Sequence, residues 1–176
     1  MELVHYSRVL LEFDRERTYA QQEPVSSYIK PVGFWVSDDT EFGWKQWCES
    51  EEWNTESLKI RSGFAFAPGA NVLHLTSVPQ LLAFTAKYGV YPPKTYSGSA
   101  ASINWPRVAR EYDGILITPY QWEARLDHRT SWFYGWDCAS GCIWNLAALE
   151  QVTERTEVPL IPGGYTHTSI EQEVEA

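Results

Sequence analysis

Leu3-Val4-His5-Tyr6-Ser7 and, further on, Pro31-Val32-Gly33-Phe34-Trp35-Val36-Ser37-Asp38 are the two stretches on which the reading of this chain turns. Each is a short apolar run rich in the β-branched and aromatic residues that suit a half-buried strand. Each also carries one group a plain sheet would not choose. His5 stands where another aliphatic is wanted, and Trp35 sits in the middle of the second run. Trp44, Trp47 and Cys48 follow shortly after. A histidine strand, a Gly-aromatic strand and an aromatic helix can together wall a slot for a flat heterocycle, since ring faces stack on such groups. That points to a protein that handles nucleotides.

Working outward, residues 2–7 read as the first strand. Residues 8–30 are polar and mixed, a long surface connection with one helical turn around Leu10 to Phe13. After the strand at 32–37, Asp38-Asp39-Thr40 can cap a helix over 41–50 with Phe42, Trp44 and Trp47 facing inward. Residues 58–66 alternate as a strand broken at Ser62-Gly63, and Pro68-Gly69-Ala70 turns into a further strand at 71–76. Ser77 and Pro79 open a helix with Leu81, Leu82, Phe84, Thr85 and Tyr88 at helical spacing, and Gly89 ends it. Residues 91–103 read as a surface loop. Asn104 and Pro106 open a short helix through Tyr112. An apolar strand at 113–118 and a loop at 119–130 precede two aromatic strand candidates at 131–136 and 140–145. Glu150 to Glu157 is charged, and 159–176 reads as an acidic C-terminal tail. About six strands and three short helices, not regularly alternating, give an α+β class with a mainly antiparallel, split sheet in one domain over 1–158.

Composition limits what such a domain can do. At 176 residues the chain suits one core that buries roughly 70% of the unfolded surface. Its nine Trp and ten Tyr must be largely buried, and each buried indole N–H wants a partner. A net charge of −9 argues against a general electrostatic grip on duplex DNA. Met1 to Phe13 lacks the basic start and apolar core of a signal peptide. No run approaches the ~20 apolar residues of a membrane span. Three cysteines, an odd number, suit reduced thiols in a cytoplasmic protein. Cys138 and Cys142 lack the CxxC spacing of metal or redox sites and the four His are dispersed, so no metal site is expected. Ser7, Ser37 and Ser140 lack the nucleophile-elbow context of a hydrolase.

The order of these segments resembles the ADP-ribosyltransferase superfamily, in particular its diphtheria-toxin and poly(ADP-ribose) polymerase branch. Leu3-Val4-His5-Tyr6-Ser7 stands where that family carries Leu-x-His-Gly-Ser/Thr. Gly33-Phe34-Trp35-Val36-Ser37, followed by Trp44-x-x-Trp47-Cys48, is similar to its Gly-x-Tyr-Phe-Ala/Thr strand and aromatic helix. The resemblance covers about 50 residues. It implies NAD as substrate, release of nicotinamide, and transfer of ADP-ribose to a protein or nucleic acid acceptor that the sequence does not identify. By it, His5 bonds the ribose and carboxamide side, Trp35 stacks on nicotinamide, Trp47 flanks the ring and Ser37 supports the pocket floor. Tyr6, Ser7, Gly33 and Phe34 complete the NAD-binding motifs. The third motif departs from the family. Ser140, in Ser140-Gly141-Cys142-Ile143, takes the place of the catalytic Glu, with Asp137 the favoured carboxylate and Glu123 or Glu150 its alternatives.

Arg61, Arg107, Arg110 and Arg125 are candidates for a pyrophosphate clamp. Asp113 reads as a turn residue and His74 as a structural strand residue. Two other functions fit the composition. One is glycoside or nucleobase processing between two carboxylates. The other is a non-enzymatic binding module that docks on a basic partner through aromatic anchors. A small acidic Trp-rich domain of this kind suits a phage or bacterial accessory protein.

Overall fold

A computed structural model describes residues 2–10, 12–23, 30–90 and 102–157. The two opening segments are neighbouring strands, β1 (Leu3–Ser7) and β2 (Phe34–Ser37). Seven strands form one sheet in the order β4-β7-β8-β2-β1-β3-β9, where β3 is Ile60–Phe66, β4 Val72–Leu75, β7 Gly114–Ile117, β8 Ser140–Ile143 and β9 Leu149–Glu157. Only β4 and β7 run parallel; every other neighbouring pair is antiparallel. A second, two-stranded sheet joins β5 (Gly89–Val90) to β6 (Ser102–Ile103). The described chain also holds four α-helices, α1 (Trp44–Ser50), α2 (Val78–Tyr88), α3 (Trp105–Ala109) and α4 (Trp122–Arg125), and 3-10 segments at Thr55–Leu58, His128–Gly135 and Leu146–Ala148. The α+β class with a mainly antiparallel sheet is as the sequence implies.

The main sheet is split. β1 holds β3 through five register pairs, from Leu3↔Phe64 to Ser7↔Ile60. β2 likewise holds β8 through four pairs, from Phe34↔Ile143 to Ser37↔Ser140. Between β1 and β2 there is one pair, Val4↔Ser37. The two halves therefore part immediately beyond that joint. Gly33 lets β2 lie close on β8, since a Cβ there would stand 2.6 Å from the Ile143 carbonyl oxygen and 2.7 Å from Cys142 Sγ.

Alternation along the strands sorts the apolar residues into separate clusters, as a period of two requires. Ile115, Ile117 and Cys142 face a large cluster with Leu81, Phe84 and four buried indoles, Trp105, Trp132, Trp136 and Trp144. Leu116 and Ile143 face the other side, with Leu3, Val36, Phe64 and Leu149. A third, smaller cluster gathers Val4, Tyr6, Cys48 and Leu58 beside Trp44 and Trp47. Of these indoles, Trp132 Nε1 donates to Thr85 Oγ1 at 2.7 Å, Trp136 to the Ser140 carbonyl at 3.2 Å and Trp144 to the Tyr112 carbonyl at 2.6 Å.

Several local expectations are corrected. Residues 131–136 are not a strand: 131–135 belong to a 3-10 stretch, His128–Gly135, and Trp136 is its C-cap. Asp127 caps it by accepting from Arg129 N at 2.8 Å, and Thr130 Oγ1 donates back to the Ala124 carbonyl at 2.7 Å. The helix expected over 41–50 begins at Trp44, with Gly43 at its N-cap. β3 is not broken at Ser62-Gly63; it continues, and its register against β9 shifts there as in a bulge. The charged run Glu150 to Glu157, given no element by the sequence, pairs along β3 as part of β9. Residues 102–103, expected in a loop, are strand β6; 91–101 lie outside the described residues. Residues 119–130 include α4, and the helix expected through Tyr112 is α3, ending at Ala109. The connection after β1 has no helical turn among its described residues. It packs Phe13 and Tyr19 on the core, and Thr18 bridges Asn145. The expected tail, 159–176, lies outside the described residues.

Candidate functional site

A cavity of about 360 Å³ opens where β1 and β2 part. Its walls come from four places in the chain. β1 supplies Val4, His5 and Tyr6, and β2 supplies Trp35, Val36 and Ser37. The approach to β8 supplies Asp137, Cys138 and Ser140. Trp44 of α1, with Lys30, Asn54 and Ser57, closes the remainder. His5, Tyr6, Trp35, Ser37, Asp137 and Ser140 are thus brought together on one wall, although the chain separates them widely.

His5 stands at the joint. Its Nδ1 lies 2.7 Å from the Trp35 carbonyl oxygen, bridging the two strands as they separate. A carbonyl can only accept, so Nδ1 carries the proton and a neutral ring keeps its Nε2 lone pair free. Burial holds the imidazole below its usual range, outweighing the opposite effect of the Trp35 hydrogen bond. The ring is therefore neutral at pH 7. Phe34 stacks on it with centroids 4.3 Å apart.

Trp35 leans on Trp136, centroid to centroid 4.8 Å. Lys30 Nζ sits 5.5 Å from the Trp35 ring centroid and 3.2 Å from Asp137 Oδ2. The favoured carboxylate thus lines the cavity beside a cation. Sequence reasoning did not single out Lys30, because nothing local in Lys30-Pro31 hints at a partner more than a hundred residues away.

Beside Tyr6 lies a network that the sequence reading assigned to helix capping. Tyr6 OH donates to Asp39 Oδ2 at 2.5 Å, and Ser37 Oγ donates to Asp39 Oδ1 at 2.8 Å. Ser37 Oγ in turn accepts from Trp44 N at 3.1 Å, so the first helical amide is satisfied by Ser37 rather than by an aspartate. Burial first, and Asp39 next, push the Tyr6 phenol well above its ordinary value. Gly43 is needed here, because a Cβ would stand 2.8 Å from both the Asp38 carbonyl oxygen and Asp39 Oδ1. Asp38 does a different job. Buried, it accepts from Thr118 Oγ1 at 2.8 Å and Thr40 Oγ1 at 2.6 Å, tying the end of β2 to the residue after β7.

Ser140 is buried and its hydroxyl donates to the Cys138 carbonyl at 3.0 Å. Burial pushes the Cys138 thiol up to about 12. Neither group is set up as a nucleophile.

Other expected site residues stand outside the cavity wall. Ser7 Oγ donates to the Val9 carbonyl at 2.8 Å. Gly33 serves the β2–β8 contact, and Phe34 backs His5 from the cluster of Phe13 and Phe64. Trp47 stacks behind Trp44 at 5.1 Å. Glu123 is exposed on α4, and Glu150 lies on β9, 3.9 Å from Arg15. Of the arginines, Arg61 is opposite Tyr6 in register and 3.1 Å from Glu2 Oε1. Arg107 holds the Lys87 carbonyl, Arg110 is exposed after α3, and Arg125 lies over the Tyr134 ring. None of the four lines the cavity. Asp113 accepts from Asn71 N and Asn145 Nδ2 as a turn residue, and His74 is exposed on β4.

Fold and site together define an α+β protein with a split sheet and an aromatic-walled cavity at the split. No family model, curated protein or solved structure matches the chain significantly. Among the described residues no helix is long and apolar enough to cross a membrane, and no cluster of His, Cys, Asp and Glu is arranged to hold a metal ion.

Proposed function

We propose that the cavity binds NAD and that the protein transfers its ADP-ribosyl group to a protein or nucleic acid acceptor, releasing nicotinamide. The observation that carries this reading is the convergence of His5, Trp35 and Asp137 on one cavity at the sheet split. A volume of about 360 Å³ is at the small end for ligand sites. It suits the nicotinamide-ribose end of NAD with the rest of the dinucleotide outside.

Each group has work that its chemistry allows. The Trp35 face, now covered by Lys30, takes the nicotinamide ring. His5 Nε2 accepts from a ribose hydroxyl. The bond from the ribose C1 to the nicotinamide nitrogen breaks, and its electron pair leaves with nicotinamide. Positive charge develops on the ribose, where the Asp137 carboxylate stabilises it. The acceptor nucleophile then forms the new bond to C1 and loses its proton. Lys30, the cation on the cavity wall, faces the anionic pyrophosphate. NAD and the three buried free thiols suit a cytoplasmic location.

A second reading, an NAD-type binding module without turnover, is favoured by one observation. The serine at the family's glutamate position, Ser140, is itself tied to the Cys138 carbonyl, and Asp137 is tied to Lys30. Thermal-shift titration separates the readings. NAD at a hundredfold excess over Kd adds about 2.7 kcal/mol of stability, and His5→Ala or Trp35→Ala removes the shift. No shift with NAD, nicotinamide or ADP-ribose refutes both readings. Nicotinamide release that vanishes in Asp137→Asn supports transfer, whereas binding without release leaves the module.

A further inference from the structure

The hydroxyls on the cavity wall share one property. Tyr6 OH donates to Asp39 Oδ2, Ser37 Oγ to Asp39 Oδ1, Ser57 Oγ to the Asn54 carbonyl at 2.8 Å, and Ser140 Oγ to the Cys138 carbonyl. A hydroxyl has a single proton, so each of these four can offer a ligand only its lone pairs. His5 follows the same pattern, its Nδ1 proton held by the Trp35 carbonyl and its Nε2 left as an acceptor. The donors on the wall stand elsewhere: the Lys30 ammonium, shared with Asp137, the side-chain amide of Asn54 and the indole N–H groups of Trp35 and Trp44. Asp39 governs two of the four hydroxyls at once. It accepts from both and has no ion pair among the described salt bridges.

We infer that the Tyr6–Ser37 part of this wall receives a ligand group that donates hydrogen bonds and carries no negative charge, and that Asp39 sets the selection by holding the Tyr6 and Ser37 protons inward. This rests on the NAD reading and sharpens it. A carboxamide NH₂ finds acceptors on such a wall. A carboxylate in the same position meets lone pairs, and the polar groups facing it go unpaired. The cavity therefore takes NAD and rejects its deamidated counterpart, nicotinic acid adenine dinucleotide, although ribose, pyrophosphate and adenine are identical in the two. Asp39 is a positioning residue, acting through Tyr6 and Ser37.

Affinities for the two dinucleotides, measured by quenching of tryptophan fluorescence, test this. The wild type binds NAD at least about tenfold tighter than the deamidated form, the scale of one or two hydrogen bonds. In Asp39→Asn the new amide N–H₂ donates to a hydroxyl oxygen and turns that hydroxyl's proton toward the cavity. The preference then falls about threefold or more. Tyr6→Phe, which keeps the ring and removes one acceptor, lowers the same ratio and decides the matter alone if Asp39→Asn does not fold. Equal binding of the two dinucleotides by the wild type overturns the inference and leaves the NAD reading intact. So does a ratio unchanged in the folded variants. A wild type that binds neither dinucleotide overturns both.

Discussion

His5 is the residue whose titration should be felt most directly by the fold. Its folded-state pKa is depressed by burial, so the unfolded chain takes up a proton at a higher pH than the native protein does. The sign follows from linkage. Where the unfolded state binds more protons, stability rises with pH. The His5 contribution is thus fully present above the ordinary value of 6.5. It is lost as pH falls below 6.5, and the loss stops only below the depressed folded value, where both states are protonated. A single site changes stability by at most about 1.4 kcal/mol per pH unit across that window.

The assay is urea unfolding at intervals from pH 7.5 to 5, for the wild type and for His5→Asn. The asparagine amide can still donate to the Trp35 carbonyl but does not titrate. Carboxylates titrate identically in both proteins, and His74 and His128 are exposed. The difference between the two curves therefore isolates His5. It should be constant above pH 7 and narrow, in favour of the variant, as pH falls. Parallel curves down to pH 5 would refute the claim that the imidazole is held neutral at the strand joint. If His5 Nε2 is also the acceptor for the ligand, NAD affinity weakens over the same pH range.

Two structural perturbations check other parts of the fold. Gly33→Ala puts a Cβ against the Ile143 carbonyl oxygen and Cys142 Sγ, and should cost about 1–3 kcal/mol in urea unfolding; a neutral change would mean that β2 does not lie so close on β8. Thr85→Val keeps shape but strips the acceptor from the buried Trp132 N–H, with an expected loss of about 1–3 kcal/mol and a changed Trp132 fluorescence.

The strands at the site were legible because their pattern is local. Apolar alternation marks β1 and β2, and His5 and Trp35 declare themselves as exceptions within it. The demand that buried indoles find acceptors was legible too, and Trp132, Trp136 and Trp144 meet it. The aromatic stretch at 131–136 was misread because ring content serves a buried 3-10 turn as well as a strand. The deciding contacts, Asp127 to Arg129 N and Thr130 to Ala124, are capping details rather than periodicity. Asp39 was misassigned for a related reason. An aspartate ahead of a helix suits capping, but Gly43 brings the chain round so that Ser37 meets the Trp44 amide and Asp39 meets Tyr6. Lys30 and Asp137 could not be paired in advance, because charge complementarity over such a separation in sequence leaves no local trace.

The one-pair joint between β1 and β2 has a mechanical consequence. Val4↔Ser37 is the last rung shared by the two half-sheets, and beyond it the His5 imidazole bridges them. A molecule seated in the cavity touches both halves and adds rungs of its own. It acts as a staple, so occupancy of the site and resistance of the sheet to unzipping become one equilibrium. Hydrogen exchange would register it as slower opening along β1 and β2, with the distant β4 edge unaffected.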